Sequence, residues 1–242
     1  MPSIEAYIPN LAYDSVIFEF NGEQLRILIL EYHNTGLFAL PGGFVKRNES
    51  VDDAVKRGLY ERTGLDSIYL EQFHTFGDVS RAVPEAMRTI LEANGYEVEQ
   101  GTWLLDRFIS VAYYALINYD EVTPVPDQLS DSINWYAIDA LPTLMMDHQQ
   151  IVEKALQSLK DNLQRKLVGM NLLPPLFTMK QLQKVYEAVL GEKLRRSSFQ
   201  RKILGMDILI RHDKLFLGKA HKAPYLYSFV KNKAGILNPA QT

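Results

Sequence analysis

Two β-rich runs open the chain, Tyr13 to Phe20 (YDSVIFEF) and Gln24 to Tyr32 (QLRILILEY), joined through Asn21-Gly22-Glu23. An Asn-Gly between apolar runs is a strong hairpin signal, because both residues accept the left-handed backbone of a tight turn. His33-Asn34-Thr35-Gly36 marks the next turn, and Leu37 to Leu40 leads into Pro41-Gly42-Gly43. Ser50, with Asp53 three residues on, then reads as a helix N-cap. The spacing predicts a helix from Val51 to about Thr63, with Val51, Ala54, Val55 and Leu59 facing inward beside Gly58, and Gly64 ending it. Ser67 to Phe76 returns to the strand pattern. Pro84 to Asp106 interrupts it with a short helix that begins at Pro84 and stops at Asn94-Gly95. Strands resume over Arg107 to Ile117 and Ser132 to Ala137, on either side of a loop marked by Pro124 and Pro126.

From Asp147 the period changes to helical. Ile151, Ala155, Leu156, Leu159 and Leu163 recur on one face through about Lys166. Gly169 and Pro174-Pro175 end that helix and mark a boundary. Thr178 and Gln181 make a capping-box pattern for the next helix, which turns Leu182, Val185, Tyr186 and Val189 inward and stops at Gly191. Ser197 or Ser198 is expected to cap a further helix, Phe199 to about Gly205, with Phe199 and Ile203 as core. Short apolar strands are expected at Asp207 to Ile210 and Leu215 to Leu217, around a polar turn Arg211-His212-Asp213-Lys214, followed by Tyr225 to Phe229. Helix–turn–helix followed by a hairpin is the outline of a winged helix. Asn232 to Thr242 reads as a loose tail.

Charge divides the chain at the same boundary. Residues 1–174 carry 13 Lys and Arg against 25 Asp and Glu, whereas residues 175–242 carry 13 against 4. A basic module on an acidic body points to nucleic acid as the partner of the module. Cysteine is absent, which excludes a disulfide framework and a thiolate metal site. The five histidines (His33, His74, His148, His212, His221) show no helical metal-ligand spacing. The first residues carry no secretory pattern, and no apolar run approaches the roughly 20 residues of a membrane span. The expected location is the cytoplasm.

Leu40 to Leu65 (LPGGFVKRNESVDDAVKRGLYERTGL) carries the chemistry. Gly43, Glu49, Arg57, Leu59, Glu61, Gly64 and Leu65 resemble, in register, a Nudix box: G, five residues, E, seven residues, then R-E-U-x-E-E-x-G-U, with U aliphatic. Two positions depart from it, Gly58 and Arg62, where the family has glutamates. Helix glutamates three and four apart share one face and hold divalent metal against a pyrophosphate. One carboxylate, Glu61, remains here, so no catalytic residue, metal or cofactor is expected. Putting glutamate back at Gly58 and Arg62 is expected to affect metal binding more than DNA binding. Glu49 and Arg57 are expected to brace loop against helix.

With FGDVSRAVP, RFISVAYYALI, WYAIDALP and NLLPPLFTMKQLQKVYEAVLGEKLRRSSFQRKILGMDIL, nearly the whole chain resembles the Nudix-related transcriptional regulators. The excursion at about Val83–Asp106 departs from their pattern. The resemblance implies an α+β chain. Residues 1–146 would form a Nudix-like α/β/α sandwich that senses an effector, 147–174 a linking helix, and 175–242 a C-terminal winged helix-turn-helix domain. It implies a homodimer on a double-stranded DNA operator, and a small-molecule effector: a pentose such as L-arabinose is favoured, with ADP-ribose next. A hydrolase of ADP-ribose or another nucleoside diphosphate derivative is the alternative. Candidate effector contacts are Tyr13, Phe44, Glu61, Arg81 and Arg107. Candidate DNA contacts are Arg195, Arg196, Ser197, Ser198, Gln200, Arg201 and Lys202 on the second helix, with Lys214, Lys219, His221 and Lys222 at the wing.

Overall fold

The computed structural model describes residues 3–66, 68–118, 122–165, 168–215 and 223–230. Strands β1 (Tyr7–Phe20) and β2 (Leu25–Tyr32) form the predicted hairpin, with Phe18 opposite Ile27 and Phe20 opposite Leu25. The Asn21 side chain accepts hydrogen bonds from the N–H groups of Glu23 and Gln24 at 3.1 and 2.9 Å, which closes the turn. The first strand starts earlier than its apolar run suggests, because β4 (Gly42–Lys46) pairs with its N-terminal part, Tyr13 opposite Gly43. Strands β3 (Phe38–Ala39), β5 (Tyr69–Phe76), β6 (Ile109–Asn118) and β7 (Ser130–Ala137) complete the sheet. Its order is β3-β2-β1-β6-β5, with β4 on β1 and β7 on β2.

Strand β6 runs parallel to β1 from Leu11 to Phe20 and occupies one whole edge of it. Strands β2 and β4 must therefore share the other edge, each taking one half. The sheet forks where they part. Successive side chains of β1 point to opposite faces. Val16, Phe18 and Phe20 join the core under helix α3 (His148–Arg165), and Tyr13 and Ile17 join the core under helix α1 (Val51–Thr63). Two helical layers thus sandwich the sheet. Helix α2 (Pro84–Ala93) and a 3-10 turn at Trp103–Leu105 form the excursion, and Ile90, Leu91 and Leu104 are buried.

The C-terminal part contains β8 (Phe177–Thr178), α4 (Met179–Leu190), α5 (Arg196–Gly205), β9 (Leu209–Lys214) and β10 (Tyr225–Phe229). The three strands pair in the order β8-β10-β9. The Thr178–Gln181 capping box is present in both directions. Two expectations fail here. Helix α5 begins at Arg196, with the Arg195 carbonyl accepting the Phe199 N–H at 2.9 Å, so Ser197 and Ser198 lie in its first turn and neither caps it. Arg211-His212-Asp213-Lys214 is strand β9 rather than a turn, since β10 pairs with it, Tyr227 opposite Arg211 and Tyr225 opposite Lys214. Its polar side chains are exposed from Arg211 to Asp213. The strand expected at Leu215 to Leu217, past Leu215, and the tail at Asn232 to Thr242 lie outside the described residues.

One hydrophobic core runs through both parts. It joins Val16, Phe18, Tyr114, Ile151, Leu159 and Leu163 to Phe177, Val185, Phe199 and Ile203. The Tyr186 hydroxyl donates to the Leu163 carbonyl at 3.3 Å, and the Lys184 ammonium donates to the Gly22 carbonyl of the first hairpin at 2.8 Å. Among the described residues, no helix is long and apolar enough to cross a membrane.

Candidate functional site

Helix α1 follows its sequence signals closely. The Ser50 hydroxyl oxygen accepts the Asp53 N–H at 3.1 Å, and Gly64 ends the helix at φ 71°, a left-handed conformation that is strained for other residues. Arg57 donates to both carboxylate oxygens of Glu49, at 3.1 and 2.7 Å, and to the Phe44 carbonyl at 3.1 Å. The Lys46 N–H also reaches Glu49, at 2.8 Å. The guanidinium beside it holds the Glu49 carboxyl below the usual glutamate range. This pair is a brace between loop and helix.

The helix face that should carry carboxylates is filled by other groups. A Cβ built on Gly58 would lie 2.0 Å from the Tyr13 hydroxyl oxygen, so the tyrosine ring stands where a side chain at 58 would go. Burial pushes that hydroxyl up to about 12, which keeps it neutral. Arg62 donates to Asp127 at 2.7 Å. Glu61 is half exposed and, among the described residues, pairs with Arg57 alone, at 3.5 Å. Among the described residues, no group of three or more His, Asp or Glu could hold a metal ion.

A cavity of about 180 Å³ sits at the fork of the sheet. Its walls come from Tyr13 and Asp14 on β1, Leu30 and Tyr32 on β2, and Gly43 and Phe44 on β4, with Asp127 from the loop before β7. The excursion closes it with Met87 and Leu104, Phe108 follows just past the excursion, and Met145, Met146 and the first residue of α3, His148, complete the lining. Of the sequence candidates, Tyr13, Phe44 and Arg81 line the cavity. Glu61 does not, because it points outward from α1. Arg107 does not, because its side chain is exposed and its backbone carbonyl is what accepts a bond, from the Asn10 amide at 2.9 Å. The two arginines flanking the excursion therefore do not meet.

Arg81 is 4% exposed and fully engaged. It donates to Asp147 at 2.9 and 3.1 Å, to Asp14 at 3.2 Å and to the Phe108 carbonyl at 3.0 Å. The Ser110 hydroxyl donates to Asp14 at 2.5 Å. Its neighbour His148 accepts the Leu40 N–H on Nδ1 at 2.9 Å, and burial holds its imidazole below the usual histidine range, hence neutral. Burial likewise raises the Tyr32 hydroxyl, with Asp127 and Asp14 adding to it. Met146, between the cavity and α3, has φ 52°, a left-handed conformation costing of order 1–3 kcal/mol in a residue with a side chain. Asp14, Tyr32, Asp127 and His148 are not among the sequence candidates. Asp14 alone carries a signal, as a carboxylate inside an otherwise apolar strand run.

At the C-terminal part, Phe199 and Ile203 bury α5, while Arg195, Arg196, Ser197, Ser198, Arg201 and Lys202 are exposed and Gln200 is half exposed. On β9, Lys214 lies 5.2 Å from the centre of the Tyr225 ring, and Arg211 lies 4.8 Å from it. Such cation–ring pairing fixes long side chains. Arg211 is not a sequence candidate, because its strand has the composition of a turn. Lys219, His221 and Lys222 lie outside the described residues.

A NUDIX domain family model matches residues 10–156, and a model of the NrtR DNA-binding winged helix domain matches residues 169–229. The chain is 30% identical over 213 residues to the ADPR responsive transcriptional repressor NtrR of Acinetobacter baylyi, covering 85% of this chain and 76% of that repressor. The crystal structure of Shewanella oneidensis NrtR superposes with a TM-score of 0.70 at 28% identity, covering 93% of this chain and 96% of that one. The same protein complexed with a 27mer DNA gives 0.71 at 28%, over 93% and 95%. The ADP-ribose pyrophosphatase of Methanocaldococcus jannaschii is 43% identical over 60 residues, which are 24% of this chain and 33% of that enzyme.

Proposed function

The chain belongs to the family of Nudix-related transcriptional regulators, a NUDIX domain followed by an NrtR-type winged helix, and on that premise we propose that it binds an operator through α5 and releases or engages it when ADP-ribose occupies the forked-sheet cavity. In this reading residues 1–146 sense the effector, 147–174 couple it and 175–242 hold the DNA, as one half of a homodimer on two half-sites. Tyr13, Phe44 and Arg81 contact the effector. Arg195, Arg196, Ser197, Ser198, Gln200, Arg201, Lys202 and Lys214 contact the DNA. No hydrolysis accompanies binding. The observation that carries this is the Tyr13 hydroxyl standing where a metal-binding side chain at 58 would begin.

The effector order differs from the one expected from the sequence. The repressor relative is described as ADPR responsive, and none of the relatives named above is described by a free sugar, so ADP-ribose comes first. One observation favours the pentose as a second reading. The cavity of about 180 Å³ falls below the roughly 300 Å³ at which pockets for drug-sized ligands begin. Arg81, the arginine in its lining, is already paired with Asp14 and Asp147, and the lining carboxylate Asp127 is paired with Arg62. A small neutral ligand fits that lining as it stands, whereas a diphosphate requires the roof to lift and an ion pair to open.

Thermal melting with ADP-ribose or L-arabinose, in parallel with fluorescence anisotropy on duplex DNA, tests both. The true effector at one hundred times its Kd stabilises the fold by about 2.7 kcal/mol and changes DNA affinity. A protein whose melting and DNA binding ignore both ligands overturns the effector assignment. Turnover of ADP-ribose with Mg²⁺ or Mn²⁺ overturns the claim that the box is not catalytic.

A further inference from the structure

Leu204 is 51% exposed on α5. The helix is buried through Phe199 and Ile203. At 100° per residue, the opposite side presents Ser197, Ser198, Arg201, Leu204 and Gly205, with Gln200 between it and the buried side. Met206, Leu194 and Leu209 nearby all pack against the core, and Leu204 is not part of that cluster. Past it, a Cβ on Gly205 would meet no atom of the described residues within 4 Å, which leaves the backbone there open to a partner.

A single exposed leucine is ordinary on a protein surface. This one lies on a face whose other side chains are two hydroxyls and a guanidinium, with an amide beside it and Arg196 and Lys202 also exposed on the helix. Such a face suits a polyanion. In the major groove of DNA the main apolar feature on a base edge is the thymine 5-methyl group. We propose that Leu204 reads thymine through that methyl group and so helps to determine operator sequence. The proposal rests on the DNA-binding reading above and adds a base-reading residue to it.

The operator sequence need not be known for the test. The full-length protein selects duplexes from a random pool, and the best duplex is resynthesised with deoxyuridine replacing thymidine one position at a time. Uracil pairs as thymine does and lacks only the methyl group. Wild-type protein is expected to lose about fourfold in affinity at one such position per half-site, the worth of one buried methyl group. Leu204→Ala binds the thymidine and deoxyuridine duplexes equally, whereas Leu204→Met keeps the difference. Because the side chain is exposed, all three proteins melt alike. A deoxyuridine effect that persists in Leu204→Ala, or no effect at any position, overturns the proposal. A change in oligomeric state in Leu204→Ala with unchanged base preference assigns the side chain to a second copy of the chain and also overturns it. A protein that enriches no duplex overturns the DNA-binding reading itself, and the methyl contact falls with it.

Discussion

Gly58 and Tyr13 explain each other. The Cβ that would collide with the tyrosine hydroxyl at 2.0 Å is also 3.0 Å from the ring carbon bearing it. Gly58→Ala therefore forces the ring or helix α1 to shift, at the 1–3 kcal/mol typical of overpacking. Tyr13→Phe removes the nearer atom, so the double variant should recover part of that loss. Urea denaturation of the four proteins measures it; because alanine gains about 0.5–1 kcal/mol over glycine inside a helix, a Gly58→Ala protein more stable than wild type by that amount would show that the ring does not fill this space. The collision also corrects an expectation. Glutamate at 58 and 62 cannot rebuild a metal site by itself, because Tyr13 must leave first and Asp127 would lose Arg62. The loss of carboxylates was legible along the chain. The groups that replaced them were not, since Tyr13 and Asp127 come from distant segments, and nothing local in the sequence pairs them with α1.

The first hairpin offers a test at the scale of elements. Glu19 on β1 is 1% exposed and pairs with Arg26 on β2 across the turn, yet among the described residues its Oε2 has no hydrogen-bond partner. Burial outweighs the arginine and raises its carboxyl from 4.5 to about 7. Below pH 4.5 the group is protonated whether the chain is folded or not. Between 4.5 and about 7 the folded chain keeps a proton that the unfolded chain has released, so rising pH favours unfolding. Above 7 both states are ionised and the cost is complete. The stability of wild type relative to Glu19→Gln should fall from pH 4.5 to 7, by at most about 1.4 kcal/mol per unit, and then level off. A difference that stays constant or rises over that interval contradicts a buried, raised carboxyl. The ends of the strands were less legible than those of the helices, for a physical reason. Helices α1 and α4 are bounded by caps written within four residues, Ser50 to Asp53 and Thr178 to Gln181. The start of β1 and the polar part of β9, Arg211 to Lys214, depend on pairing with other strands, β4 and β10, and no local pattern announces them.

For the whole molecule the question is whether the cavity and the face proposed to meet DNA belong to one cooperative unit. The core passes from the large sheet through α3 into α4 and α5 without a break. Leu159, fully buried on α3, lies in that shared cluster. The same helix begins at His148 on the cavity wall, next to the Asp147 that grips Arg81. A ligand that stabilises one arrangement of this junction thereby stabilises one arrangement of α3, and can shift DNA affinity only by its preference between the two. Both tryptophans, Trp103 and Trp135, lie in the N-terminal part. Their fluorescence therefore reports that part, while duplex binding reports α5 under the proposed DNA contact. In a urea titration the two signals should fall together. Leu159→Ala should move both midpoints down by the same amount, with a loss of about 2–5 kcal/mol for an emptied core position. If duplex binding fails at lower urea than the tryptophan signal, or Leu159→Ala moves one midpoint alone, the two parts unfold separately. Regulation would then have to pass through a surface contact, such as the Lys184 bond to Gly22, instead of through the core.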